Sequence, residues 1–217
     1  MSIISYDAND RIMIFIDLRN IIKSVSADSK YSKVDYVSLV RCLKGPRKLI
    51  AAYVFDSKGA IDATDKSKRF HDYLRYKGFR VIARDSYDPD HNVQKEVDVA
   101  MAVQMVTHAY KNNYDVAVVV SGDRDFIPAI QEVQAAGKRV EVAAFSNSKS
   151  DEMERQCDVY HNLDKEPILS LMNISEVLTQ DGTLEMVRWN SKTGSLRKTT
   201  SLVRATKIGA FCPNPAS

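Results

Sequence analysis

Two aspartates one residue apart, Asp123 and Asp125, follow the apolar run Val116-Ala-Val-Val-Val120 and the pair Ser121-Gly122. An all-apolar run closed by a turn signal predicts a buried central strand. The carboxylates then sit just past its carboxyl end, the edge where open α/β sheets bind ligands. Asp125 also precedes a predicted helix, Phe126 to Ala136, and could instead cap it. A third acid, Asp17, ends the short apolar strand Arg11 to Ile16. A fourth, Asp98, falls in the first turn of a predicted helix over Lys95 to Tyr110. Its neighbours at i+4, i+7 and i+11 are Ala102, Met105 and Ala109, a stripe that should face a sheet. The alternative for Asp98 is a first-turn acid favoured by the helix dipole.

The elements that must bring these acids together alternate along the chain. Strands are predicted at Arg11–Ile16, Lys48–Phe55, Phe79–Ala83, Asp115–Val120 and Arg139–Phe145, with a short sixth at Val159–Leu163. Helices are predicted at Leu18–Val25, Val34–Leu43, Asp65–Lys77, Lys95–Tyr110, Phe126–Ala136 and Ser150–Cys157. Gly45-Pro46, Gly78 and Gly137 act as helix stops. Such alternation means parallel βαβ units with right-handed crossovers, hence a three-layer α/β/α sandwich. If three strands wind one way and two the other, the order is 3-2-1-4-5. The first and fourth strands become neighbours, and the switch point between their carboxyl ends holds Asp17, Asp123 and Asp125. Asp56, at the end of the second strand, lies on the far side of the first and is the weaker candidate.

Four carboxylates in one crevice cannot all stay ionised without compensation. A hard divalent cation resolves this: Mg²⁺ takes oxygen ligands, keeps several waters and binds phosphate oxygens. Such a site favours phosphodiester cleavage by acidifying a bound water and neutralising charge on the phosphate. His71, His91, His108 and His161 are scattered and are expected to be surface or structural residues. There is no Walker loop, no GxGxxG and no GxSxG elbow. Cys42, Cys157 and Cys212 have no CxxC spacing and an odd count, which argues for a reducing, cytoplasmic setting and against a zinc site or disulfide framework. No apolar run approaches the ~20 residues that span a bilayer, and Met1 to Arg11 lacks a signal peptide's order.

The segments Asp17-Leu-Arg-Asn20, Lys95-Glu-Val-Asp98 and Ser121-Gly-Asp-Arg-Asp-Phe126 resemble the NYN domain of the PIN-like nucleases, most closely its LabA-like group. Gly137-Lys-Arg-Val-Glu-Val142, then Ser150, Met153, Asp158, Tyr160 and Leu163, continue the match over about residues 11–164. The resemblance implies a PIN-like fold, a Mg²⁺ or Mn²⁺ site and ribonuclease activity on single-stranded or loop RNA, with a metal-activated water as nucleophile. It implies that Asp17, Asp98, Asp123 and Asp125 are the catalytic metal carboxylates and that Asn20 orients Asp17 or a water. Arg19, Lys95, Ser121 and Arg124 are further candidates for substrate contact. Relatives often carry small residues where this chain has Arg19 and Arg124, and many carry an acid where it has Gln104. That last departure supports an alternative, an RNA- or protein-binding regulatory module with little or no turnover. A haloacid-dehalogenase-type phosphatase would need an acid where Arg19 stands. A homodimer is a possible assembly.

The resemblance ends near Asp164, dividing the chain into a 1–164 nuclease domain and a 165–217 appendage. Pro167 to Leu178 is predicted as an amphipathic helix. Thr183–Trp189 and Ser195–Val203 flank Asn190-Ser-Lys-Thr-Gly194, a hairpin signal. From Met186 onward there are six basic residues and no acid; set against the total of +3, this leaves −3 for residues 1–185. Basic side chains beside Trp189 suit a single-stranded backbone and a stacked base; the alternative is a solubilising edge hairpin or a disordered tail.

Overall fold

The computed structural model describes residues 7–27, 34–58, 65–85 and 93–165, with the backbone of 174–178, 184–190 and 195–198. Six strands, β1 (Arg11–Asp17), β2 (Lys48–Lys58), β3 (Arg80–Asp85), β4 (Val116–Val120), β5 (Arg139–Ala144) and β6 (Val159–Asn162), form one sheet in the order 3-2-1-4-5-6. Every pairing in it is parallel. The expected order holds and continues by one strand at the β5 edge.

Alternation along the central strands sorts the core into two layers. Ile12, Ile14 and Ile16 of β1, with Val116, Val118 and Val120 of β4, pack on one side against α1 (Leu18–Ala27), α2 (Tyr36–Lys44) and α3 (Asp65–Tyr76), through residues such as Ile21, Leu39 and Leu74. Met13, Phe15, Ala117 and Val119 pack on the other side against α4 (Val93–Tyr110) and α5 (Ile127–Ala135), through Met101, Met105, Ile130 and Val133. Strands covered on both faces need continuous apolar runs, which β1 and β4 supply. Burial of each such side chain contributes about 1.5–3 kcal/mol. The short α6 (Asp151–Gln156) precedes β6.

Several boundaries differ from the sequence expectation for local reasons. Asp35 accepts from the N–H groups of Val37 and Ser38, so α2 starts at Tyr36 rather than Val34. β2 runs past Phe55 through Asp56 to Lys58, because β3 pairs with it as far as Asp85. α4 begins two residues before Lys95, and its buried stripe is Val97, Met101, Met105 and Ala109. Asp98 therefore lies beyond the first turn, on the shoulder of the buried face and half-buried. The dipole explanation weakens accordingly, since that effect fades within the first turn.

A second sheet follows: β7 (Ile174–Leu178), β8 (Leu184–Asn190) and β9 (Ser195–Lys198), antiparallel in the order 7-8-9. The expected hairpin forms, closing with Asn190 opposite Ser195. The expected helix does not extend over Ile174–Leu178: that segment pairs with β8 as a strand. A short apolar run fits either period, and the partner strand decides it. The rest of that predicted helix lies outside the described residues, as does Asp88-Pro89-Asp90.

Candidate functional site

The parallel register of β1 on β4 matches Ile16 with Val120, which carries Asp17 level with Ser121. Asp17 is 4% exposed. One carboxylate oxygen accepts from the Asn20 N–H at 3.1 Å, so Asp17 serves the first turn of α1 as a cap. The other accepts from the Ser121 hydroxyl at 3.1 Å. The Ser121 Oγ in turn accepts from the Asp123 N–H at 3.2 Å, and the Asn20 side-chain oxygen accepts from the Gly122 N–H at 3.1 Å. Two strand ends are thereby sewn together by Asn20 and Ser121. Burial raises the Asp17 carboxyl above its ordinary range, and the neighbouring charge of Asp123 raises it further, against the pull of its hydrogen bonds.

Asp123, rather than Asp125, is the capping residue. Its side chain accepts from the Asp125 N–H at 3.0 Å and opens a 3-10 turn, Arg124–Phe126, ahead of α5. That turn carries Asp125 and Arg124 to the exposed surface. The structure thus brings Asp17 and Asp123 together. Among the described residues no group of three or more His, Cys, Asp or Glu side chains stands ready to hold a metal ion. Of the four expected carboxylates, Asp17 and Asp123 meet in this conformation, while the cap at Asp123 turns the chain outward at Asp125 and Asp98 sits on a helix shoulder.

Arg19 points elsewhere than the substrate role expected of it. Its Nε lies 3.0 Å from Asp56, which is buried two residues before the end of β2 and also bonds His71 at 2.7 Å. Asp56, Arg19 and His71 form a largely buried cluster beside the site. Lys95 lines a different hollow, with Arg84, Glu96 and Val99.

Asp123 and Arg124 border a crevice of about 470 Å³. One wall is the face of α1 bearing Asn20, Lys23 and Ala27; the other is the Asn147–Ser150 turn. The turn is locked in place. A Cβ on Gly122 would lie 2.0 Å from the Ser148 carbonyl oxygen, so only glycine permits this approach. The Asn147 amide donates to the Ser24 carbonyl at 2.8 Å, tying the turn to α1. Sequence reading missed Lys23 and this turn. The 20-23-24-27 spacing places those residues on one helix face and could have flagged Lys23; the turn carries no comparable signal.

An α/β sandwich with paired acids at the carboxyl edge of its switch point defines a ligand-binding site of the doubly wound class. The chain belongs to the NYN domain family, which matches residues 11–164. It carries a nuclease-type domain, and its substrate is a nucleic acid. A Vibrio parahaemolyticus protein of unknown function, solved as a crystal structure, shares the fold with a TM-score of 0.62. It is 21% identical, over 75% of this chain and 98% of that one. Comparison with curated proteins finds no match. Among the described residues no helix is long and apolar enough to cross a membrane.

Proposed function

We propose that the chain is a metal-dependent endoribonuclease of the LabA-like group, acting in the cytoplasm on single-stranded or loop RNA. The observation that carries this reading is the Asp17–Asp123 pair. Two oxygen-donor acids meet at the β1–β4 switch point, one of them almost fully buried, in a domain of the NYN family. Neither is in an ion pair with a cationic side chain among the described residues. That donor set fits Mg²⁺ or Mn²⁺, hard cations that take carboxylate oxygens. When bound, such an ion supplies water acidification and charge neutralisation at a phosphate. The chain's own part is positioning: Ser121 and Asn20 hold the two strand ends and fix the orientation of Asp17. Asp98 and Asp125 are assigned to the same ion, and reaching it requires side-chain movement from the arrangement seen here.

The test is labelled RNA incubated with the protein in Mg²⁺, in Mn²⁺ and in EDTA. Cleavage should require the metal and should be lost in Asp123→Asn, which keeps the shape and removes the charge. Cleavage by Asp123→Asn at the wild-type rate would show the site to be misassigned. A second reading, an RNA- or protein-binding module without turnover, is favoured by the lack of a ready three-acid group among the described residues and by Gln104. It predicts binding with no metal-dependent product.

A further inference from the structure

We infer that the crevice between α1 and the Asn147–Ser150 turn is a phosphodiester subsite, in which Lys23 and Arg124 hold the phosphate next to the one being cleaved. The inference rests on the ribonuclease reading and names how that site takes its strand. Its first support is continuity. Asp123 belongs to both the acid pair and the crevice lining, so a strand whose reacting phosphate meets Asp17 and Asp123 has the crevice as its adjoining channel. The second is charge. Three cations border the crevice. Lys149 is already matched to Glu154 and, at 3.3 Å, to Asp151. Lys23 and Arg124 meet no acid in an ion pair among the described residues, and both are exposed at the mouth. A pair of uncompensated cations beside two carboxylates suits a ligand with regularly repeated anions, not a neutral one.

The third support is what the lining lacks and how it is held. None of its residues is aromatic, so the crevice offers no stacking platform for a base. Asn20, Asn147 and Ser150 line it with amide and hydroxyl groups that suit sugar and phosphate oxygens, while the Ser24 and Ser148 hydroxyls donate to the Asn20 and Phe145 carbonyls within the walls. The Gly122–Ser148 contact and the Asn147–Ser24 hydrogen bond hold those walls at a set width before any strand arrives. Recognition here is therefore of the backbone, with little dependence on base identity.

The experiment uses the full chain and fluorescein-labelled oligouridylate and oligoadenylate of roughly a dozen nucleotides. Binding is followed by anisotropy in EDTA across a salt series, and kcat/KM is measured in Mg²⁺. Lys23→Gln and Arg124→Gln should each weaken binding about tenfold at ~0.1 M salt. Each should flatten the slope of log affinity against log salt by about 0.7. The loss should be the same factor on both homopolymers. Lys23→Arg and Arg124→Lys should restore the slope, and Lys111→Gln, an exposed lysine just past the far end of α4, should leave it unchanged. Wild-type cleavage with unchanged slopes in both Gln variants would overturn the subsite while leaving the nuclease reading intact. A loss confined to one homopolymer would overturn backbone recognition. Wild-type protein that neither binds in EDTA nor cleaves in Mg²⁺ would overturn the nuclease reading, and the subsite with it.

Discussion

Gly122→Ala concentrates the logic of the site in one methyl group. The new Cβ would stand 2.0 Å from the Ser148 carbonyl oxygen, 2.6 Å from its carbonyl carbon and 3.2 Å from the Lys149 nitrogen, whereas ordinary contact begins near 3.4 Å. All three are backbone atoms, so no side chain can swing away. Either the 146–149 turn retreats by more than an ångström or the Ser121–Asp123 segment does. The turn is held by the Ser148 N–H on the Phe145 carbonyl at 3.1 Å and by Asn147 on Ser24 at 2.8 Å. The segment is held by the Asn20 oxygen on the Gly122 N–H at 3.1 Å. Overpacking of this kind costs about 1–3 kcal/mol, and one hydrogen bond lost in the retreat adds about 0.5–1.5 kcal/mol. A destabilisation of about 2–4 kcal/mol is expected in urea denaturation, with the slope of the transition unchanged. Cleavage by the folded fraction should fall at least tenfold, because Asp123 moves with its neighbour. Gly137→Ala is the comparison. Its Cβ meets nothing within 4 Å, but its φ is +75°, so it should cost about 1–2 kcal/mol through backbone strain and leave cleavage untouched. A Gly122→Ala protein within about 0.5 kcal/mol of wild type, the range of an unremarkable surface change, would refute the close-approach argument.

Two further predictions concern the scaffold. Arg47 and Glu141 form a buried pair, 2.5 Å apart with side chains 1% and 2% exposed, completed by His161 on Glu141 at 2.9 Å. Arg47→Met should cost about 3–5 kcal/mol by stranding the carboxylate, and Arg47→Met with Glu141→Leu should recover most of it, since well-packed apolar pairs replace buried ion pairs at little cost; equal losses in single and double variants by urea denaturation would count against this. A chain ending at residue 165 should keep its circular dichroism and melt cooperatively, because among the described residues no strand pairing joins the six-stranded sheet to β7–β9; failure to fold would place the C-terminal segment within the core.

The strands that carry the site were legible because β1 and β4 are apolar without interruption, and burial on both faces demands that pattern. Their adjacency followed from the winding rule, and with it the meeting of Asp17 with the Ser121–Asp123 segment. The phase of α4 was not legible. Val97 to Ala109 is apolar on nearly every side, so a stripe through Ala102 looked as good as the observed one through Met101. That error of one residue moves Asp98 from the buried face to its shoulder. Gly122 reads locally as a turn signal, yet its requirement is set by Ser148, twenty-six residues on. The pairing of Arg19 with Asp56 is likewise non-local, and no spacing along the chain announces it.

That pairing also bears on which acid does the work. Asp17 and Asp56 lie near the carboxyl ends of neighbouring strands of one sheet and are buried to nearly the same degree, 4% and 3% exposed. An ionised carboxylate so placed needs compensation. Asp56 receives it from two directions, His71 at 2.7 Å and the Arg19 guanidinium at 3.0 Å. Asp17 accepts from the Ser121 hydroxyl and from the backbone N–H groups of Asn20 and Arg19, is in no ion pair with a cationic side chain among the described residues, and faces a second acid in Asp123. Arg19 stands two residues from Asp17 and spends its charge on Asp56. Without a cationic partner among the described residues, Asp17 carries its burial cost in the free protein, an arrangement typical of functional sites. On the proposed reading, the asymmetry between these two buried carboxylates assigns Asp56 to the scaffold and Asp17 to the ion.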